Sequence, residues 1–244
     1  MRQPQSTLFL ARDVFACPTK RHWVFLDVRR DKYLCLKRVE FDSLRIPRHG
    51  LHHIREDRAD EPPPLPADLI SLRIELLNAG ILTADPEHSQ EIASVSIPIP
   101  SPTPLALPCS QTKSGLTGGL PAFLYACWKA DRALRRNPFH KTIEDLIRRK
   151  QRVPPIRQAP AHPHDLSRTI SVFNSLRPLY PKPYLCLFDS LALLEMLALY
   201  GAFPALVFGV TTDPFQAHCW LQMENIVLND SPATVRAYTP IMRV

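Results

Sequence analysis

The chain has 244 residues, 45% of them hydrophobic, and a formal net charge of +7; that is enough apolar mass for a buried core and excludes an intrinsically disordered class. Its 26 prolines against 7 glycines imply stiff, extended connections, and no glycine pattern of the Walker or dinucleotide-binding kind occurs, which excludes a nucleotide site built on such a loop. The positive charge favours acidic partners but is dispersed except in "RALRR" (132–136) and "IRRKQR" (147–152), which read as solvated helix faces or as a patch for an acidic protein or peptide.

The N-terminus, "MRQPQSTLFLARD", lacks the charged start and apolar run of a secretory signal, and no apolar stretch reaches the ~18 residues that span a bilayer. The expectation is a cytoplasmic protein with no membrane span. Residues 7 to 38 predict a small sheet from "TLFLAR", "HWVFLDV" and "YLCLKR". "VEFDSLRIP" allows one or two helical turns. "PADLISLRIELLNAG" predicts a helix, with Leu69, Leu72, Leu76 and Leu77 at helical spacing and Gly80 as its stop. Residues 85–118, rich in Pro, Ser and Thr with no sustained period, predict a linker or extended strap between a first domain (1–84) and a second (119–244).

In the second domain "LPAFLYACWKADRALRR", "KTIEDLIRRK" and "PHDLSRTISVFNSLRPL" predict helices, and a fourth runs from Cys186 to Gly201. The period then changes. "ALVFGV", "AHCWLQM" and "IVLND" predict an antiparallel meander after the helices, an α+β order. Six cysteines, at 17, 35, 109, 127, 186 and 219, form no CxxC pair, so free thiols are expected rather than a zinc site or disulfides. "HGLHH" and "HPH" lack a carboxylate or cysteine partner at ligand spacing and read as surface loops, so no metal site is expected. Trp23, Trp128 and Trp220 read as packing rather than a base-stacking platform.

The chemistry-bearing residues converge late in the chain. Cys186 opens a leucine-lined helix three residues after a proline, where unpaired backbone N–H groups and the helix dipole favour a thiolate. His218 is expected on a strand and Asp230 at the end of a neighbouring one; if Glu224 and Asn225 make the intervening turn, the two strands are adjacent. Thiolate, base and orienting carboxylate are the parts of nucleophilic catalysis. The residues alone equally allow a buried helix-start cysteine, a hydrogen-bonded strand histidine and a turn-capping aspartate.

The stretches "CLFDSLALLEMLALYGAFPALVFGV", "DPFQAHCWLQM" and "VLND", with "SVFNSLRPLYP" upstream, resemble the core of the lasso-peptide B proteins over roughly residues 120 to 235. These are transglutaminase-like cysteine peptidases that remove the leader of a lasso precursor peptide. The resemblance implies a papain- or transglutaminase-like domain of helices packed on an antiparallel sheet, with Cys186 as nucleophile, His218 as base and Asp230 as its orienter. Ser190 and Leu191 also match and are expected to support packing. Cys219 stands where the family more often has a small residue and, as the strand neighbour of His218, is expected to face away from the reaction.

"VFLDVRRDKYLCL" is similar to the PqqD-like recognition element of that family, a winged-helix-like unit of three strands and three helices. It implies leader binding along the third strand, at Tyr33, Leu34, Cys35 and Leu36, beside Leu72 and Leu76 on the helix. The resemblance further implies a cyclase partner of asparagine-synthetase-like type and, for some members, dependence on ATP. Nucleic acid is not expected as a partner. Two other readings are acyl transfer by the same three residues and a non-enzymatic peptide- or DNA-binding protein with a winged-helix-like first domain.

Overall fold

The computed structural model describes residues 7–47, 64–92, 95–101, 113–152 and 163–244. The chain divides into two compact units, residues 1–95 with 212–214, and residues 96–211 with 215–244.

In the first unit, β2 (Val14–Pro18), β3 (His22–Asp27) and β4 (Lys32–Lys37) form an antiparallel sheet in that order, with Trp23↔Leu36 and Phe25↔Leu34 in register. A second small sheet places β1 (Phe9–Ala11) between β5 (Leu82–Thr83) and β6 (Ser89–Gln90). The helices are α1 (Arg38–Ser43) and α2 (Ala67–Asn78). Strand alternation sends Trp23 and Phe25 to the core face, where each packs on Phe41 of α1, with ring centroids 5.1 and 4.9 Å away. Gly80 ends α2 at φ +71°, where its N–H bonds to Leu77 O at 2.9 Å.

The unit differs from three strands and three helices in carrying the extra sheet around β1 and two helices among the described residues. "HGLHH" (49–53) lies outside those residues. Of the side chains expected to meet a peptide, Leu34, Leu36 and Leu72 are half-buried against the shared core, and Tyr33 and Cys35 alternate with the β4 pair. Leu76 is only 3% exposed and belongs to that core, which leaves it no surface to offer a partner. The exposed apolar residues of α2 are Ile70 and Ile74 instead, one turn apart.

In the second unit, α3 (Lys113–Arg136), α4 (Phe139–Gln151), α5 (Pro163–Leu176) and α6 (Cys186–Leu199) precede a four-stranded sheet. Its order is β10 (Thr239–Arg243), β7 (Ala205–Thr212), β8 (Phe215–Met223), β9 (Ile226–Val227), with α7 (Pro232–Val235) between the last two in sequence. β10 was not expected from the pattern; it returns antiparallel beside β7. α6 packs against α3, α5 and β8 and buries Phe188 and residues 190–197, the burial expected of a helix apolar all round. Residues before α3 bond to the β8–β9 hairpin: Pro98 O accepts from Gln222 Nε2 at 2.7 Å and Ser101 N–H donates to Asn225 O at 2.7 Å. No helix among the described residues is long and apolar enough to cross a membrane.

Gly209 on β7 lies against Trp220 of β8: a Cβ there would stand 2.8 Å from the Trp220 ring and 2.9 Å from Tyr238. Both contacts are shorter than side chains tolerate, and the Trp220 ring is 1% exposed with nowhere to move. Gly209→Ala is therefore expected to cost ~1–3 kcal/mol of stability, seen as a lower denaturant midpoint with an unchanged far-UV circular dichroism spectrum.

Candidate active site

Cys186 is the first residue of α6 and is exposed. A helix starts here because Leu185 is extended (φ −134°, ψ 122°) and the Asp189 carboxylate reaches back to accept the Leu185 N–H at 2.9 Å, while the Asp189 N–H bonds to Leu185 O at 2.9 Å. The other Asp189 oxygen is bound by Nε of Arg177, a guanidinium that is 3% exposed. Arg177 also donates to the carbonyls of Lys182 (3.1 Å) and Pro183 (2.8 Å) and lies 4.4 Å from the Tyr184 ring centroid. One cation thus ties down the segment before Cys186 and the first turn that carries it.

His218 sits on β8 with its ring stacked on Trp220 at 6.1 Å and tilted against Tyr238 at 5.2 Å. The hairpin through Glu224 and Asn225 pairs Met223 with Ile226, with Glu224 taking φ +50°. Beyond β9 the chain keeps alongside β8: Leu228 N–H bonds to Leu221 O at 2.9 Å, and the Asn229 side chain accepts the Leu221 N–H at 2.7 Å. That brings Asp230 Oδ2 to 2.5 Å from His218 Nε2. The other Asp230 oxygen accepts the Ser231 N–H at 2.6 Å. Since Nε2 faces the carboxylate, Nδ1 is the ring nitrogen left for the sulfur of Cys186, with which the imidazole hydrogen-bonds.

The charges follow from these contacts. Hydrogen bonds to Asp230 and then to Cys186 raise His218 to about 9. Hydrogen bonds from the Cys219 thiol, from His218 and from the Cys219 main chain pull Cys186 down to about 4, against the opposing effect of burial. At Asp230, burial alone would raise the carboxyl; hydrogen bonds from His218 and Ser231 outweigh it and hold the group below its usual range. Between about 4 and about 9 the site therefore holds a thiolate and an imidazolium.

Cys219 departs from expectation. Alternation does place it opposite Trp220 and His218, but α6 packs on that same face of β8, so the thiol meets the nucleophile instead of avoiding it. Ser190, one turn along α6 and fully buried, donates to Cys219 O at 3.4 Å and lies 4.0 Å from its sulfur, while Asn229 Nδ2 donates to Ser190 Oγ at 2.8 Å. The hydrogen bond to Cys186 and then burial push the Cys219 thiol up, so it stays a donor. Sequence reasoning missed Arg177, Asn229 and Tyr238; an arginine twelve residues before an aspartate or an asparagine in "LND" carries no signal until the packing is known. The described cysteines 17, 35, 127, 186 and 219 are all free thiols, and no group of His, Cys, Asp and Glu among the described residues has metal-holding geometry. His162 of "HPH" lies outside those residues.

Two outcomes are expected. Iodoacetamide at pH 6 should modify Cys186 and spare Cys17 and Cys127, which burial pushes up to about 12 and about 11; Cys219→Ala should move the onset of Cys186 modification to higher pH, because it removes the largest stabiliser of the thiolate. Arg177→Met should lower stability by about 3 kcal/mol by stranding Asp189, and the double change with Asp189→Leu should recover most of that loss in urea titrations.

Comparison with curated proteins and with solved structures gives no significant match for the chain. Residues 130–243 match the family model of the Transglutaminase-like superfamily, a range that contains α6, all four strands of the second sheet and Cys186, His218 and Asp230. The C-terminal part of the chain is a transglutaminase-like domain.

Proposed function

We propose that this protein is a cysteine endopeptidase that removes the leader of a lasso precursor peptide, with Cys186 as nucleophile, His218 as base and acid, and Asp230 as orienter. The observation that carries the reading is an exposed cysteine at a helix start beside a histidine whose Nε2 is held by a carboxylate at 2.5 Å. The thiolate adds to the carbonyl at the leader–core junction, and the Cys186 N–H, which has no acceptor within the helix, is the first donor to the oxyanion. As the tetrahedral adduct collapses, His218 gives its proton to the leaving amine, the new N-terminus of the core. Water then attacks the thioester while His218 takes a proton, and the leader leaves as a carboxylate. The freed core passes to an asparagine-synthetase-like cyclase; a requirement for ATP rests on the family resemblance.

The first unit suits the recognition role because β4 stands at the end of its sheet order among the described residues, with Leu34 and Leu36 half-buried beside it. A leader added along Tyr33–Leu36 as a further strand would take affinity from main-chain hydrogen bonds and side-chain choice from apolar neighbours. On α2, Leu72, Ile70 and Ile74 take the place that Leu76 cannot fill. Acyl transfer to an amine is the second reading, favoured by the superfamily match.

The test is incubation with a precursor peptide followed by intact mass. Wild type should release free leader, Cys186→Ala and His218→Ala should lose at least about a thousandfold in kcat/KM, and Asp230→Ala should retain the most activity. The kcat/KM profile should be bell-shaped, falling below about 4 as the thiolate is protonated and above about 9 as the imidazolium loses its proton. A cross-linked product in place of free leader would assign acyl transfer; salt-sensitive duplex binding that survives Cys186→Ala, with no cleavage, would sink both.

A further inference from the structure

Cys219 has no step in the chemistry of Cys186, His218 and Asp230, yet its thiol hydrogen-bonds to the nucleophile. Packing builds that approach. Cys186 and Ser190 stand one turn apart on α6, and α6 lies on β8. Ser190 Oγ is 4.0 Å from the Cys219 sulfur and donates to Cys219 O at 3.4 Å, while Asn229 Nδ2 fixes the same hydroxyl at 2.8 Å. The face of α6 that carries Cys186 is therefore seated on Cys219.

The other sheet shows two cysteines close in register that cannot bridge. Cys17 on β2 and Cys35 on β4 both stand opposite Val24 of β3, two strand spacings or about 9.5 Å apart, beyond the ~7 Å between Cα atoms that a disulfide spans. Between Cys186 and Cys219 the sulfurs already touch. Their surroundings also divide the work. Cys186 is exposed and held as a thiolate, the form that attacks peroxides, whereas Cys219 is 3% exposed and held protonated.

We infer that Cys186 and Cys219 form a reversible modification site, in which a hydroperoxide oxidises Cys186 and Cys219 resolves the product to a disulfide. The Cys186 thiolate attacks a peroxide oxygen, the O–O bond breaks, and the departing hydroxide takes a proton from His218, which is hydrogen-bonded to that sulfur, and leaves as water. Cys186 is left as a sulfenic acid. With the thiolate gone, the largest cause that keeps Cys219 protonated disappears, and the Ser190 hydroxyl, which favours the Cys219 thiolate, remains. The Cys219 sulfur then bonds to Cys186, and the sulfenic oxygen leaves with the Cys219 proton as a second water. Two thiols and one peroxide thus give one disulfide and two waters. The bond removes the nucleophile and joins the start of α6 to β8, whatever substrate the site acts on. A dithiol reverses it by exchange, and trapping at this stage spares Cys186 the further oxidation to a sulfinic acid, which is not reversed by thiols.

The site is tested by treating the reduced full chain with a modest excess of hydrogen peroxide at about pH 8, alkylating the remaining thiols and mapping the digest by peptide mass. The Cys186 and Cys219 peptides are expected joined, with loss of two hydrogen atoms, and dithiothreitol should free both. In Cys219→Ala the link cannot form, and Cys186 should advance to a sulfinic acid that dithiothreitol does not reduce. A wild-type map with Cys186 as sulfinic acid, with Cys186 joined to another cysteine, or with Cys186 still alkylated after the exposed Cys35 has been oxidised would overturn the inference. The wild-type map decides it alone if Cys219→Ala fails to fold. The readout needs no precursor peptide: a chain that forms the bond but releases no leader refutes the peptidase reading and keeps this one, and leader release without the bond does the reverse.

Discussion

Two carboxylates on one buried helix govern the second unit. α6 is apolar almost throughout, and a smooth apolar rod has little to stop it sliding or rotating against its neighbours. Asp189 near its start and Glu195 further along are each captured by cations from elsewhere, Arg177 in the first case and Arg149 with Lys129 in the second. Such pairs add little net stability beside well-packed apolar residues, yet any displacement of α6 would strand a charge, which is costly. They therefore act as register pins, and the residue whose position they set is Cys186.

The sheet supplies the rest of the site under a comparable constraint. His218 is clamped between ring contacts on one side and a carboxylate on the other, and Gly209 leaves the room that the Trp220 ring needs. Asn229 does two jobs: its oxygen replaces a main-chain acceptor for Leu221, and its nitrogen reaches Ser190 on α6. Sheet and helix are thus joined through a short polar chain, Asn229 to Ser190 to Cys219 O, inside an otherwise apolar contact. Buried polar links of this kind are tolerable because each member is satisfied. They also bring Cys219 against the nucleophile.

Two charge environments meet α6. At its start the charge is balanced closely, with a thiolate against an imidazolium. Around Glu195 the balance is broken in favour of cations. Some of the basic residues there sit in the last turns of α3 and α4, where they complement the carbonyl ends of those helices. That accounts for basic residues at the two helix ends.

Periodicity and composition determined a good deal unaided. The helical repeats marked α2 to α6 because a side chain every 3.6 residues must face a core, and the β-rich runs marked β1, β3, β4 and β7 to β9. A turn at Glu224 and Asn225 entered only as a condition for the approach of residues 218 and 230, and the pairing of Met223 with Ile226 meets that condition. β2, ending in Pro18, and β10, containing Pro240, were hidden because proline argues against strand and only an available edge overrides it. Which face of β8 receives α6, how deep Leu76 lies and where Arg177 finds Asp189 were decided by tertiary packing. Local sequence sets the spacing of side chains along an element, but only the docking of elements sets which side chains from distant positions meet.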